Sequence, residues 1–256
     1  MDLLITIVNF HNEDEIEKAV DSIIKFTPEN ISKKIVIVDN SAACLDGDGT
    51  EKLERLSKKH ECVEILPMPG NMGFGHAHNA GQKLYEADFA AIVNPDILLT
   101  EDAFSPLIKY LNENKNCMIA VPRITDPDGK LLAVYRLDPT VFDMFLRRFV
   151  PGFKKRKAKH TMQDKDYSKP FSLPFAQGSF LLVRKDLYDK IGGFDERYFL
   201  YMEDADLCRT ARAYGTVDYV PDAAVIHSWH RESKKSFKAF SFHFKSMIKY
   251  FNKWGL

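Results

Sequence analysis

The chain has 256 residues, enough for one sizeable domain or for one domain with an appendage. Its 45% apolar and 28% charged residues are ordinary for a soluble globular protein, and no uncharged run approaches the ~20 residues of a membrane-spanning helix. Lys and Arg number 36 against 36 Asp and Glu, so there is no overall basic excess. With no recognition motif either, this counts against nucleic acid as a partner.

The four cysteines, Cys44, Cys62, Cys117 and Cys208, are widely spaced and form no CxxC pair, which argues against a zinc site or a disulfide framework and for a reducing compartment. The N-terminus runs directly into LLITIVNF without a basic leader, so no signal peptide is expected. A cytoplasmic protein is the expectation. The charge is nonetheless uneven: Arg147–His160 holds seven Lys/Arg and no acid, and Arg231–Lys253 holds seven more against the single Glu232. The second run interleaves Phe237, Phe240, Phe242, Phe244, Tyr250 and Phe251. Such runs are either solvated faces or, with these aromatics, a segment suited to the headgroup layer of an anionic membrane.

In chain order, Leu3–Val8 reads as a buried strand and Asn12 as the cap of a helix whose inner face is Ile16, Ala19, Val20, Ile23 and Ile24. Lys34–Val38 is a second strand ending at Asp39. An acid there can accept the ring N–H of a uracil or thymine, bond a ribose hydroxyl, or simply open a turn. A surface helix over Glu51–Lys59 and a strand over Val63–Leu66 follow. The glycines of GNMGFG then come after the third strand rather than the first, which disfavours a nicotinamide-binding domain. They still allow close approach of backbone to a ligand, and Asn79 on the next helix is placed to reach it.

The fourth strand, Phe89–Val93, runs into Asn94-Pro95-Asp96. In extended chain, residues i and i+2 share a side, so the amide and the carboxylate can face one point and suit Mg2+ or Mn2+; an Asx turn is the plainer alternative. Thr100 is expected to cap a helix carrying Phe104, Leu107, Ile108 and Leu111, and Met118–Val121 to be a strand closed by Pro122. The β–α alternation to this point predicts a mainly parallel sheet. About 45 basic, aromatic, irregular residues follow, expected to be an acceptor-side excursion with some helix over Thr140–Phe149.

Order resumes with a strand over Phe180–Arg184, a helix to Ile191, and the acids Glu203, Asp204 and Asp206 at the start of a helix running to Tyr214. These acids either complement the helix dipole or supply a general base beside the aromatic Tyr198, Phe199 and Tyr201. Val217–Val220 is the last strand, and Ala223–Ile226 leads to His227, a candidate to share a metal with Asp96.

Taken together, the segments IVNFHN, IVIVDNS, GNMGFGHAHNAG, NPDI, QGSFLLVR, GGFDERYFLYMEDADLCRTARAYG and AVIHSWHRESKKSF resemble the inverting family 2 glycosyltransferases of GT-A fold, over nearly the whole chain. Within them the resemblance is greatest to the bacterial rhamnosyltransferases that build O-antigen and capsule-type polysaccharides. It implies an α/β fold with a Rossmann-like sheet over residues 1–230, divided into a nucleotide-sugar half (1–122) and an acceptor half (123–230). Residues 231–256 would be a basic aromatic segment that associates with the membrane.

By that resemblance Asn9, Glu13 and Asp39 hold the donor nucleoside with Val8, while Asn71, Gly73 and Asn79 line its ribose and diphosphate with Phe74. Asp96 binds the metal, with Asn94 beside it and His227 completing the set. Gln177 and Gly178 form part of the sugar and acceptor pocket, Arg231 contacts the diphosphate, and Asp204, with Glu203 as alternate, is the base. The family's usual Asp-x-Asp has Asn94 in its first position here, which weakens the case for an essential metal. The implied donor is dTDP-L-rhamnose or another dTDP- or UDP-sugar, and the implied acceptor a polyprenyl-diphosphate-linked saccharide at the inner face of the cell membrane. Two rivals remain. A nucleotidyltransferase lacks support because no basic glycine-rich loop follows the first strand, and a non-catalytic nucleotide-sugar-binding protein would have no need of the acids.

Overall fold

A computed structural model of the chain describes residues 1–41, 48–141, 154–228 and 237–255. Eleven strands are found among these residues: β1 (Leu3–Asn9), β2 (Lys33–Asp39), β3 (Val63–Pro67), β4 (Phe89–Val93), β5 (Ile97–Leu98), β6 (Cys117–Thr125), β7 (Tyr135–Arg136), β8 (Phe171–Ser172), β9 (Phe175–Ala176), β10 (Phe180–Arg184) and β11 (Thr216–His227). The helices among them are α1 (Glu13–Phe26), α2 (Asp48–Lys59), α3 (Phe74–Gln82), α4 (Phe104–Glu113), α5 (Lys154–His160), α6 (Lys185–Lys190), α7 (Glu203–Ala211) and α8 (Phe237–Trp254).

One mixed, mainly parallel sheet has the order β3-β2-β1-β4-β10-β6-β11-β5, with β8 beside β11. Strands β1, β2 and β4 are continuous apolar runs because helices cover both of their faces, and all five residues of β4 are buried. Right-handed crossover units place β3, β2, β1 and β4 parallel. Strand β10 then enters antiparallel between β4 and β6. The alternating pattern did not foretell this. The chain leaves β6 and enters β10 at the same edge of the sheet, so β10 runs the other way. Its start, Phe180, therefore lies opposite Val93, the end of β4.

Two local expectations are corrected. Pro122 does not close its strand but sits inside β6, opposite Val220, where the β11 register shifts before Ala224. A bulge tolerates a residue that has no N–H for the ladder. Thr100 does not cap α4; Asp102 does, its Oδ1 accepting the amides of Phe104 and Ser105 at 3.0 Å each. Asn12 occupies the N-cap position of α1, but its side chain bonds Phe10 O instead of the helix amides.

The excursion is held by aromatic packing rather than by long elements. Tyr135, Tyr167 and Phe171 surround Tyr219, with ring centroids 5.0–5.2 Å from it, and the Tyr135 hydroxyl donates to Pro122 O. The helix expected over Thr140–Phe149 lies largely outside the described residues. At the C-terminus α8 docks one face on the body. Tyr250 is fully buried, Trp254 Nε1 donates to Asp206 Oδ1 at 2.6 Å, and Lys253 Nζ reaches Asp206 Oδ2 at 2.8 Å. No helix among the described residues is long and apolar enough to cross a membrane.

Candidate active site

Strand polarity gathers the polar residues at one edge of the sheet. The C-terminal ends of β1, β2, β4 and β11 and the start of β10 all lie there, which brings Asn9, Asp39, Asn94, Asp96, His227 and the 177–179 turn together. An edge of this kind, where the strand order reverses beside β1, is where open α/β sheets bind ligands.

Asn9 is the hub of the first part. Its Nδ2 lies 2.9 Å from Glu13 Oε1, 2.9 Å from Asp39 Oδ1 and 3.0 Å from Ser41 Oγ, and its Oδ1 accepts the Asn12 amide at 3.0 Å. Asn9 is fully buried and entirely engaged within the protein, so it positions Glu13 and Asp39. Among the described residues, the side-chain bonds of Asp39 all fall on Oδ1, from Asn9 and from the amide and hydroxyl of Ser41. Val8 packs in a small apolar cluster with Leu4, Val36, Val38 and Ala77.

Helix α3 begins at Gly73, whose φ of +91° suits glycine; a Cβ there would lie 2.4 Å from Phe199 O. Asn71 is exposed and accepts the Gly73 amide. Asn79 is placed differently from its expected role beside the ribose. Its Nδ2 donates to Phe194 O and Glu196 Oε1, and its Oδ1 accepts the Tyr188 hydroxyl and the Phe194 amide. Those four bonds use the whole amide to fix the 193–196 loop, and nothing remains for a donor.

Beyond β4, Asp96 Oδ2 lies 3.0 Å from His227 Nε2, and the Ser228 amide donates to Asp96 O at 3.0 Å. The histidine is delivered from β11, 131 positions further along the chain (227 less 96). A carboxylate and an imidazole facing each other are a donor pair for a borderline divalent cation such as Mn2+. Among the described residues no group of three or more His, Cys, Asp or Glu assembles that could hold a metal alone.

A cavity of about 250 Å3 opens beside this pair, lined by Phe74, Asn94, Gln177, Gly178, Ser179, Glu203 and Asp204 among others. Four buried polar atoms in its wall, Asn94 Oδ1, Gln177 Oε1, Ser179 Oγ and Glu203 Oε2, have no hydrogen-bond partner among the described residues. Buried polar atoms are normally paired, and a cluster of orphans lining one cavity marks a binding site for a hydroxyl-rich ligand.

The two acids enter this cavity from a backbone held under tension. Tyr201 and Met202 adopt φ of +69° and +71°, a left-handed region that side chains disfavour. They are held on both sides: Phe199 O accepts the Phe74 amide at 3.1 Å, and Leu200 O accepts the Ser246 hydroxyl of α8 at 2.9 Å. Burial, and then the neighbouring Asp204, pushes the Glu203 carboxyl up to about 8. Asp204 is also raised, chiefly by desolvation, but the amides of Gly178 (3.1 Å) and Ala205 (2.8 Å) and the charge of Arg136 favour its ionised form. Burial thus favours the protonated form at Glu203, while the two amides and Arg136 oppose it at Asp204. A side chain on Gly178 would crowd Asp204, because its Cβ would lie 3.3 Å from that of Asp204.

The structure thus brings Phe74, Asn94, Gln177, Gly178, Glu203 and Asp204 to one cavity and joins Asp96 to His227, while Arg231 lies outside the described residues. Sequence reasoning missed Ser179, Arg136, His160 and His243 in the cavity wall, and Asp206 as the anchor of α8. Ser179 was signalled by its place directly before β10; the others come from distant segments and carry no local motif.

Comparison with known proteins agrees with this geometry. The family model described as glycosyl transferase family 2 matches residues 5–192. The chain is 30% identical to rhamnosyltransferase WbbL of Escherichia coli (strain K12), over 96% of this chain and 91% of that protein. It is 28% identical to an N-acetylglucosaminyl-diphospho-decaprenol L-rhamnosyltransferase of Mycobacterium tuberculosis, over 88% of this chain and 75% of that one. Among solved structures, GalNAc-T7 with UDP, GalNAc and Mn2+ superposes with a TM-score of 0.73 at 18% identity, covering 99% of this chain and 48% of that one. A mannosyltransferase from Pyrobaculum calidifontis in complex with GDP-Man and Mn2+ gives 0.66 at 15% identity, covering 98% and 64%. The chain thus spans about half to two thirds of those solved chains, and the likeness is one of fold, the GT-A arrangement. Matched by the family model over most of its length and by a relative almost end to end, this chain is a glycosyltransferase and belongs to glycosyl transferase family 2.

Proposed function

We propose that the protein is an inverting rhamnosyltransferase that moves L-rhamnose from dTDP-L-rhamnose to a polyprenyl-diphosphate-linked saccharide in cell-surface polysaccharide synthesis. The observation that carries this reading is Asp204, a carboxylate held on the Gly178 amide in a cavity where Asn94, Gln177, Ser179 and Glu203 each present a polar atom with no hydrogen-bond partner among the described residues. The two rhamnosyltransferase relatives, one named for a decaprenol-linked substrate, support the choice of sugar and acceptor.

In this reading Asp39 Oδ2 accepts the ring N–H of the donor base or a ribose hydroxyl, while Asn9 and Glu13 hold Asp39 in place. Asp96 and His227 fit a divalent cation in donor chemistry and spacing, and the Mn2+ of two fold neighbours supports such an ion. When bound, it would act as a Lewis acid toward the donor diphosphate. Asn94, Gln177 and Ser179 orient the sugars through their unpaired atoms. Asp204 takes the proton of the acceptor hydroxyl as the hydroxyl oxygen attacks the anomeric carbon from the face opposite the nucleotide. One displacement without a covalent intermediate inverts that carbon. Glu203, protonated, donates a hydrogen bond to a sugar oxygen. The exposed basic and aromatic face of α8 supports peripheral attachment to the inner face of the cell membrane.

Calorimetric titration with dTDP and UDP, each with Mn2+ and with EDTA, tests the donor side. Mn2+-dependent binding that prefers dTDP is expected. Preference for UDP would move the donor to a UDP-hexose, and absence of binding to both would overturn the catalytic reading.

A further inference from the structure

The small ladder of β7 and β9 delivers two groups to one carboxylate. Its register pairs Tyr135 with Ala176 and Arg136 with Phe175, and the Gln177 amide extends it to Val134 O at 3.0 Å. Gly178 follows directly, and its amide meets Asp204 Oδ2 at 3.1 Å. Successive residues of a strand point to opposite sides. Tyr135 turns into the aromatic cluster, fully buried, with its hydroxyl on Pro122 O. Arg136 therefore turns the other way and lines the cavity with Asp204.

Desolvation in the cavity wall drives the Asp204 carboxyl toward its neutral form, in which it is no base. Glu203, beside it on α7, would push it the same way on ionising. Cys208, one turn further along that helix, stays an uncharged thiol because burial pushes it up to about 12. Against these influences stand the amides of Gly178 and Ala205 and the charge of Arg136. His160 from α5 and His243 from α8 also line the cavity, but imidazoles lose their charge near neutral pH. A guanidinium keeps its charge wherever a carboxylate titrates, whatever else it bonds.

We propose that Arg136 is a positioning residue of the transfer reaction: from the β7–β9 ladder it keeps the Asp204 carboxylate in its proton-accepting form and on the Gly178 amide. The assignment rests on the reading of Asp204 as the base and adds to it the residue that maintains its charge.

Two readouts on the full chain test it, in wild type, R136K and R136Q. The first uses no substrate: the Asp204 carboxyl is titrated by carbon NMR of protein labelled at aspartate, its resonance identified by its loss in D204N. In R136Q that titration should move up by about one unit or more, and R136K should restore most of the wild-type value. The second is the pH profile of kcat/KM for dTDP release from dTDP-L-rhamnose, with farnesyl-diphosphate-linked N-acetylglucosamine as acceptor. R136Q should be slowed about tenfold or more on the acid side and recover as pH rises, with dTDP binding unchanged. R136K should rescue the profile. A purely structural role would lower the rate by one factor at every pH, and that result, or an unmoved Asp204 titration in R136Q, would overturn the proposal while the transfer reading stands. So would an Asp204 carboxyl that is still neutral at pH 7 in wild type, a result that depends on no variant's folding. If wild type transfers no sugar while the titration still moves with Arg136, the assignment of Arg136 to Asp204 stands and the choice of donor and acceptor falls.

Discussion

The two parts of the site differ in how their polar atoms are satisfied. Around Asn9, Asp39 and Asn79, nearly every side-chain donor and acceptor is bonded within the protein. Around Asn94, Gln177, Ser179 and Glu203, along the same sheet edge, four such atoms have no partner among the described residues. The first part is a frame that is complete before any ligand arrives. The second is a set of open valences whose cost is recovered only when sugar hydroxyls fill the cavity. On the proposed reading, nucleoside recognition is thus prebuilt, while the reacting sugars complete the structure.

The largest effect that breaks this contrast should come from Asp204→Asn. Turnover should fall about 10²–10⁴-fold, the usual worth of a general base, with dTDP binding retained. Loss of dTDP binding in the same titration would put Asp204 in the frame instead. Asn9→Ala should break the other side. Removing a fully buried hub should destabilise the fold by about 2–4 kcal/mol in denaturant titration and weaken nucleotide binding through Asp39.

Glu203→Gln should sharpen the comparison through pH. Its folded pKa of about 8 exceeds the unfolded value, so the stabilising contribution is complete below about 4.5 and is lost as pH rises toward 8. The melting temperature of Glu203→Gln should therefore gain on wild type between pH 5 and pH 8. A constant difference across that range would show that Glu203 is already ionised at pH 5. The smallest effect, about 1 kcal/mol, is expected from Trp254→Phe, which removes the 2.6 Å bond to Asp206 while keeping most of the packing. Its turnover should fall more than its stability suggests, because α8 holds the turn that carries the acids.

Much of this was legible in the chain. β-branched runs marked β1, β2 and β4, and polar residues where buried strands should end marked Asp39, Asn94 and Asp96. The acids at the start of α7 were legible too, though not the opposing influences on them, burial at Glu203 and the Gly178 amide at Asp204. The antiparallel entry of β10 was not, since periodicity carries no strand direction. Asn79 was misplaced because an amide near a glycine turn reads the same whether it faces a ligand or a loop. Arg136, His160 and His243 were invisible as a set because only tertiary packing makes them neighbours.

The bond from Ser246 to Leu200 O has a bearing on how the enzyme comes into being. The sheet is built wholly from residues that precede α8, whereas the turn presenting Glu203 and Asp204 is held from behind by that helix. On the proposed reading, competence to transfer sugar thus depends on α8, and a chain in which this helix is detached would keep its sheet yet remain idle.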